Sequence, residues 1–187
     1  MRLGDGILIT PSGVRYPDLM PSEIVELPQE GPVDGRQRPS SEWRFHRDIY
    51  AARPEVAAVV HTHQPYATAV ACLRRDVPAV HYMIAAAGGP TIRCAPYATF
   101  GTQQLSDHVV AALRDRSACL IANHGLVTVG ETPEEAMELA VGIEALCRMY
   151  LLACSAGDPA VLTDQEMGDV LARFSDYGPR RRPGGRD

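Results

Sequence analysis

The sequence contains no CxxC pair, no long basic run and no internal repeat or linker. Its five cysteines (Cys72, Cys94, Cys119, Cys147, Cys154) are odd in number and scattered. A cysteine-based zinc site or a disulfide framework is therefore not expected, and the cysteines are read as buried reduced thiols. Cys147 and Cys154, seven apart on an expected helix, should share its packed face. Lys+Arg total 18 against 23 Asp+Glu, a formal charge of −5. Without a basic stretch to neutralise many phosphates, general nucleic-acid binding is excluded, while a small anionic substrate is not. Met1-Arg2-Leu3-Gly4-Asp5 is not a charged-then-apolar leader, and no apolar run long enough to span a bilayer is expected. These absences lead to the expectation of a cytoplasmic protein without nucleic-acid or membrane partners.

What is present is an ordinary globular composition, 45% hydrophobic and 22% charged over 187 residues, enough for one domain with a sizeable core. Strand and helix signals alternate. Gly6–Thr10 reads as a strand closed by the turn Pro11-Ser12-Gly13, and the polar, turn-rich residues 28–39 read as a loop. A helix is expected from Ser40 or Ser41 to about Ala52, capped by serine with Glu42 in its first turn. Val56–Val60 is a buried strand running into His61-Thr62-His63. A helix over Pro65–Leu73, the run His81–Gly89, a strand over Thr91–Ala95 and a helix capped by Thr102 follow. Two further strands, Ala118–Ala122 and Leu126–Val129, flank Asn123-His124-Gly125. Thr132-Pro133-Glu134-Glu135 and Thr163-Asp164-Gln165-Glu166 carry capping-box signals for two last helices. The first of these is apolar on more than one side, which suggests burial against a sheet and against something else. The interleaving predicts an α/β fold with helices on both faces of a sheet.

Residues two apart on a strand share a face, so His61 and His63 can meet one ion. His124 ends a second buried strand beside Gly125, whose lack of a side chain permits close backbone approach. Three histidines with an open position suit a catalytic zinc, although spacing alone does not bring them together. Glu42 at a helix start is favoured in its ionised form by about 0.3–1 kcal/mol. His46, four residues on, lies on the same face, so spacing leaves a Glu42–His46 ligand pair open. Ser12, Gly13, Ser40 and Ser41 are small turn residues able to present donors to a phosphate. Tyr82 stands in an apolar stretch, either as a proton donor or as a packed tyrosine with a bonded hydroxyl.

Six segments, ILITPSG (7–13), PSSEWRFH (39–46), VVHTH (59–63), HYMIAAAGG (81–89), CAPYATFGT (94–102) and NHGL (123–126), resemble in order and content the class II aldolase/adducin family, on its fuculose-phosphate side. The resemblance implies a three-layer αβα sandwich around a mostly antiparallel mixed sheet, as one domain over 1–178 with a disordered tail at 179–187. It implies one Zn²⁺ per subunit held by His61, His63 and His124. Glu42 would be the catalytic glutamate that also reaches the metal, and Ser12, Gly13, Ser40 and Ser41 would hold the substrate phosphate. Tyr82 and Tyr177 would serve as catalytic tyrosines, in a homotetramer whose active sites lie between subunits. The implied reaction is reversible cleavage of a ketose 1-phosphate to dihydroxyacetone phosphate and an aldehyde such as L-lactaldehyde. A ribulose-phosphate 4-epimerase-like enzyme and a non-catalytic adducin-like binding module are the alternatives. Against the family pattern, an N-terminal helix and a Gly-Asn-x-Ser turn are missing ahead of the first hairpin, so weaker phosphate binding is expected.

Overall fold

The computed structural model describes residues 1–34 and 38–174. Tyr177 and the tail at 179–187 lie outside them. The chain opens with a three-stranded antiparallel sheet, β1 (Arg2–Leu3), β2 (Gly6–Ile9) and β3 (Val25–Pro28), in which Ile7 pairs with Leu27. Sequence patterning finds β2 but neither neighbour, because two- and four-residue edge strands are too short to show a period. The sheet is fastened through Arg2, whose guanidinium donates to the carbonyls of Tyr50, Arg53 and Val56.

Helix α1 spans Trp43–Ala52 and buries Phe45, Ile49 and Tyr50. It starts later than expected, with Glu42 at the N-cap rather than in the first turn, and no side chain caps it. Ser40 instead sits in a turn ahead of the helix: its N–H donates to Thr10 O, its carbonyl accepts Trp43 N–H and its Oγ accepts Glu42 N–H. Ser12 N–H likewise donates to Arg38 O, and Pro11 bridges Pro39. The turn at Ser12-Gly13 is thereby zipped to the segment that carries Ser40, Ser41 and Glu42.

The central sheet contains β4 (Ala58–Thr62), β5 (Arg93–Ala95), β6 (Ala118–Ile121) and β7 (Gly125–Gly130), in the order β4-β7-β6-β5. Its β4–β7 and β6–β7 pairs are antiparallel and β5–β6 is parallel. Alternate residues of β6 go to opposite faces, Cys119 and Ile121 to one core and Ala118 and Leu120 to the other. The first core is closed by α1 and α3 (Gln103–Ala112). The second is closed by α2 (Pro65–Cys72), α4 (Pro133–Ala156) and α5 (Asp164–Phe174). Three layers result, and each large apolar side chain withdrawn fully from water contributes roughly 1.5–3 kcal/mol.

The capping signals place the later helices well. Thr102, Thr132 and Thr163 each accept an N–H of the first turn. The reciprocal bond forms at Thr163, where Glu166 accepts its N–H, while Glu135 reaches instead to Glu131 N–H. His81–Gly89 becomes a 3₁₀ helix over Tyr82–Ala87, with His81 Nδ1 accepting Met83 N–H and left-handed Gly88 closing it. Of the five free cysteines, Cys119 and Cys147 are buried, and half-buried Cys154 packs on the same core as Cys147. Cys94 is only half-buried and Cys72 is exposed, so the expectation of buried thiols fails there.

Helix α4 corrects one expectation. Its 24 residues include a window of mean hydropathy 1.5, which is long and apolar enough to cross a membrane by length and composition. In the fold it packs on β7, α2 and β4 and buries Ile143, Leu146 and Tyr150. Met137, Val141, Met149 and Leu152 stay exposed on its outer side. Apolar side chains thus stand on both the packed and the open side of this helix.

Candidate metal centre

Three segments bring four donors together. β4 carries His61, and His63 follows one residue after its end; the β6–β7 turn supplies His124; the start of α1 supplies Glu42. Their ligand atoms all lie within 4.8 Å of one another. His61 Nδ1 is 2.9 Å from Leu126 O. A carbonyl only accepts, so Nδ1 carries the proton and Nε2 presents its lone pair. That Nε2 lies 2.9 Å from His63 Nε2 and 2.7 Å from Glu42 Oε2. Lone pairs and a carboxylate converging this closely repel unless a cation lies among them.

Glu42 sharpens the point. It is 6% exposed, and its Oε1 lies 3.2 Å from His124 Nε2 without hydrogen-bonding geometry, a buried acceptor lacking a donor. Burial opposes its ionisation, and its carboxyl is held well below the usual carboxylate range when His124 and His61 turn protonated nitrogens toward it, a role that a cation among neutral imidazoles would take over. Partial loss of solvent around its ring, with the neighbouring His61 and His124, lowers the pKa of largely exposed His63. Neutral imidazoles and an ionised carboxylate are the protonation states that bind a divalent ion. The donor set therefore fits a metal, and its nitrogen–oxygen mixture suits several divalent ions besides zinc.

Gly125 permits the convergence. A Cβ there would stand 2.4 Å from Thr62 O and 2.8 Å from His63 Cδ2. Gly125→Ala is thus expected to push β4 from β7 and displace His63, costing about 1–3 kcal/mol of stability as overpacking does. Chemical denaturation and metal titration should both register it.

Two cavities meet at the cluster. The larger, about 760 Å³, is lined by His61, His63, Glu42 and all four small residues Ser12, Gly13, Ser40 and Ser41. The fold brings these last four together from segments far apart in sequence, and none of the described lining residues is a lysine or arginine. The smaller cavity, about 330 Å³, is lined by Glu42, His63 and His124 together with Tyr97, Phe100 and Asn123. Sequence reasoning gave these three wall residues no role. The signal available was Tyr97 and Phe100, two aromatics within a turn, both exposed here.

Two expectations resolve differently. His46 is not among the four donors; its ring stacks on Phe45 at 4.8 Å and shows only part of its surface to the larger cavity. Burial, then the nearby His61, lowers its pKa from 6.5 to about 3. Folded His46 stays neutral where the unfolded chain takes up a proton, so stability falls as pH drops from 6.5 toward about 3. Denaturation of metal-free protein across that window should show a shallower fall in His46→Gln. Tyr82 is 46% exposed on its 3₁₀ helix and lines neither cavity at the cluster.

The fold and this site together define a member of a known class: the chain belongs to the class II aldolase and adducin N-terminal domain family, which matches residues 1–151. It is 51% identical over 178 residues to a 5-methylthioribulose-1-phosphate/5-deoxyribulose-1-phosphate aldolase of Rhodospirillum rubrum, covering 95% of this chain and 80% of that protein. It is 49% identical over 181 residues to the L-fuculose phosphate aldolase of Escherichia coli K12, covering 96% and 84%. A solved L-fuculose 1-phosphate aldolase superposes with a TM-score of 0.86 at 38% identity, over 91% of this chain and 81% of that one.

Proposed function

We propose that this protein is a metal-dependent aldehyde-lyase that reversibly cleaves a ketose 1-phosphate to dihydroxyacetone phosphate and a short aldehyde. The observation that carries this is the convergence of Glu42, His61, His63 and His124 between two cavities in a class II aldolase fold. Among the 187 residues none is lysine; all 18 cations are arginine. A Schiff base on a lysine is therefore closed to this chain as a way of stabilising the carbanion.

His61, His63 and His124 would hold the ion, with Glu42 reaching it when substrate is absent. Bound there, Zn²⁺ would supply Lewis acidity for negative charge developing on the ketose oxygens. In cleavage, the C4 hydroxyl loses its proton, the C3–C4 bond breaks with its electron pair passing to C3 and the adjoining carbonyl, and C4 becomes the aldehyde. Glu42, buried and facing both cavities, returns a proton to C3. Ser12, Gly13, Ser40 and Ser41 offer neutral donors to the phosphate in the larger cavity. Tyr97 and Phe100 then flank the aldehyde end, and their apolar surface suits a methyl or methylthio terminus.

L-Fuculose 1-phosphate is the substrate we favour. The 51% relative gives 5-methylthioribulose 1-phosphate and 5-deoxyribulose 1-phosphate specific standing as alternatives, since all three share the phosphorylated end. Tyr82, exposed and away from its own cluster, would reach a neighbouring copy's site, and either it or Tyr177 would handle the proton at the aldehyde oxygen. The outer apolar face of α4 supports assembly as a homotetramer. Free thiols throughout support a cytoplasmic location.

The test is release of dihydroxyacetone phosphate from each of the three sugar phosphates. Activity should vanish on chelation, return with zinc, and survive borohydride in the presence of substrate. An epimerised product would favour the 4-epimerase-like alternative, and a metal-free, inert chain the adducin-like binding module.

A further inference from the structure

Helix α2 touches both loops that carry cluster histidines, and hydrogen bonds to distant parts of the chain fasten both of its ends. Its first residue, Pro65, follows His63 by two positions. Gln64 stands at the N-cap without a side-chain bond to the helix. Glu144 of α4 takes that place, its carboxylate accepting Tyr66 N–H at 3.0 Å and Ala67 N–H at 2.7 Å. These are charge-assisted bonds at the positive end of the helix dipole.

At the far end the helix meets the turn that presents His124. Asn123 N–H donates to Ala71 O at 3.1 Å, and Arg74 Nε donates to Asn123 Oδ1 at 2.5 Å. Arg74 and Asn123 are both left-handed, with φ of 53° and 54°. For a residue such as arginine that conformation is unfavourable and persists only where its surroundings impose it. The guanidinium also lies 5.7 Å over the ring of Tyr97, a wall of the smaller cavity.

We infer that α2 is a strut setting the separation of His63 and His124, with Glu144 and Arg74 as positioning residues at its two ends. Neither is among the four donors. Each acts through backbone it holds, Glu144 on the segment leaving His63 and Arg74 on the residue before His124. The inference rests on the four donors being a metal site.

The experiment is zinc affinity of the full chain by competition with a chromophoric chelator, together with amide exchange at His124 in metal-free protein. Arg74→Met and Glu144→Gln should each weaken zinc binding about tenfold, as loss of an outer supporting contact does. Arg74→Met should also speed exchange at His124, and Arg74→Lys, which keeps a donor for Asn123, should recover most of the affinity. Asn123→Gly deletes the acceptor while suiting the left-handed turn, so it tests the bond even if an Arg74 variant folds poorly. The double variant Arg74→Met/Asn123→Gly should be no weaker than either single one, because both remove the same bond. Affinities within twofold of the parent in folded Arg74→Met, Asn123→Gly and Glu144→Gln would overturn the strut, as would additive losses in the double variant. A parent chain that bound no zinc would overturn the metal reading and the strut with it.

Discussion

Glu42→Gln is expected to slow carbon–carbon cleavage by about 10²–10⁴-fold, the usual share of a positioned general acid or base. Glutamine matches glutamate in shape, so the packing at the start of α1 survives, and its amide oxygen still faces the imidazoles. What it loses is the capacity to carry a proton and the charge that makes the cluster neutralise a cation. Glu42 is nearly sealed from water, so bulk solvent cannot substitute for it. The measurement is single-turnover cleavage with metal content determined on the same sample. A fall of less than about tenfold with the ion retained would reduce Glu42 to a ligand and move the proton transfer elsewhere.

His61→Ala should lose metal affinity by more than about 100-fold, beyond the range of outer supporting contacts, and lose activity with it. His61 is the centre of the cluster, with its Nε2 facing both Glu42 and His63. Its other nitrogen donates to Leu126 O, and its ring meets Phe45 edge-on at 5.3 Å. Alanine therefore also leaves a carbonyl without its donor, and some destabilisation of the metal-free protein is expected. His63→Ala separates the two effects, because His63 is exposed and has no such bond among the described residues. Zinc at a hundredfold excess over Kd should stabilise the parent by about 2.7 kcal/mol. Neither variant should gain stability from it, and a zinc-dependent rise in the His61→Ala unfolding midpoint would show that His61 does not hold the ion.

Several parts of this arrangement were legible in the residues. The threonine caps at 102, 132 and 163 place three helices because a cap bond is local, involving a side chain and an N–H three residues away. The buried runs around residues 58–60 and 118–121 read as strands because they are short, apolar and β-rich. Gly125 was read as a close approach, and the 2.4 Å that a Cβ would leave to Thr62 O gives that expectation its size. Glu42 was misplaced by one position; Ser40 sits in a turn ahead of the helix, its N–H donating to Thr10, thirty residues earlier in the chain.

Local spacings account for most of the elements, though not for β1 or β3, and for the HxH pair at the end of β4, while the six segments carry the family. Each of these is written in spacings of a few residues or in whole motifs. Spacing alone left a Glu42–His46 pair open; the tertiary structure instead gathers His124 and Glu42 with His61 and His63, the set that the family resemblance implied. The tertiary structure alone zipped Ser12-Gly13 to Ser40-Ser41, set Tyr97 and Phe100 in one cavity lining with the donors, and tied Glu144 and Arg74 to the ends of α2. Those contacts pair residues tens of positions apart, and helical and strand periods carry no information over such distances. Sheet order and the packing of two separate cores fix them instead.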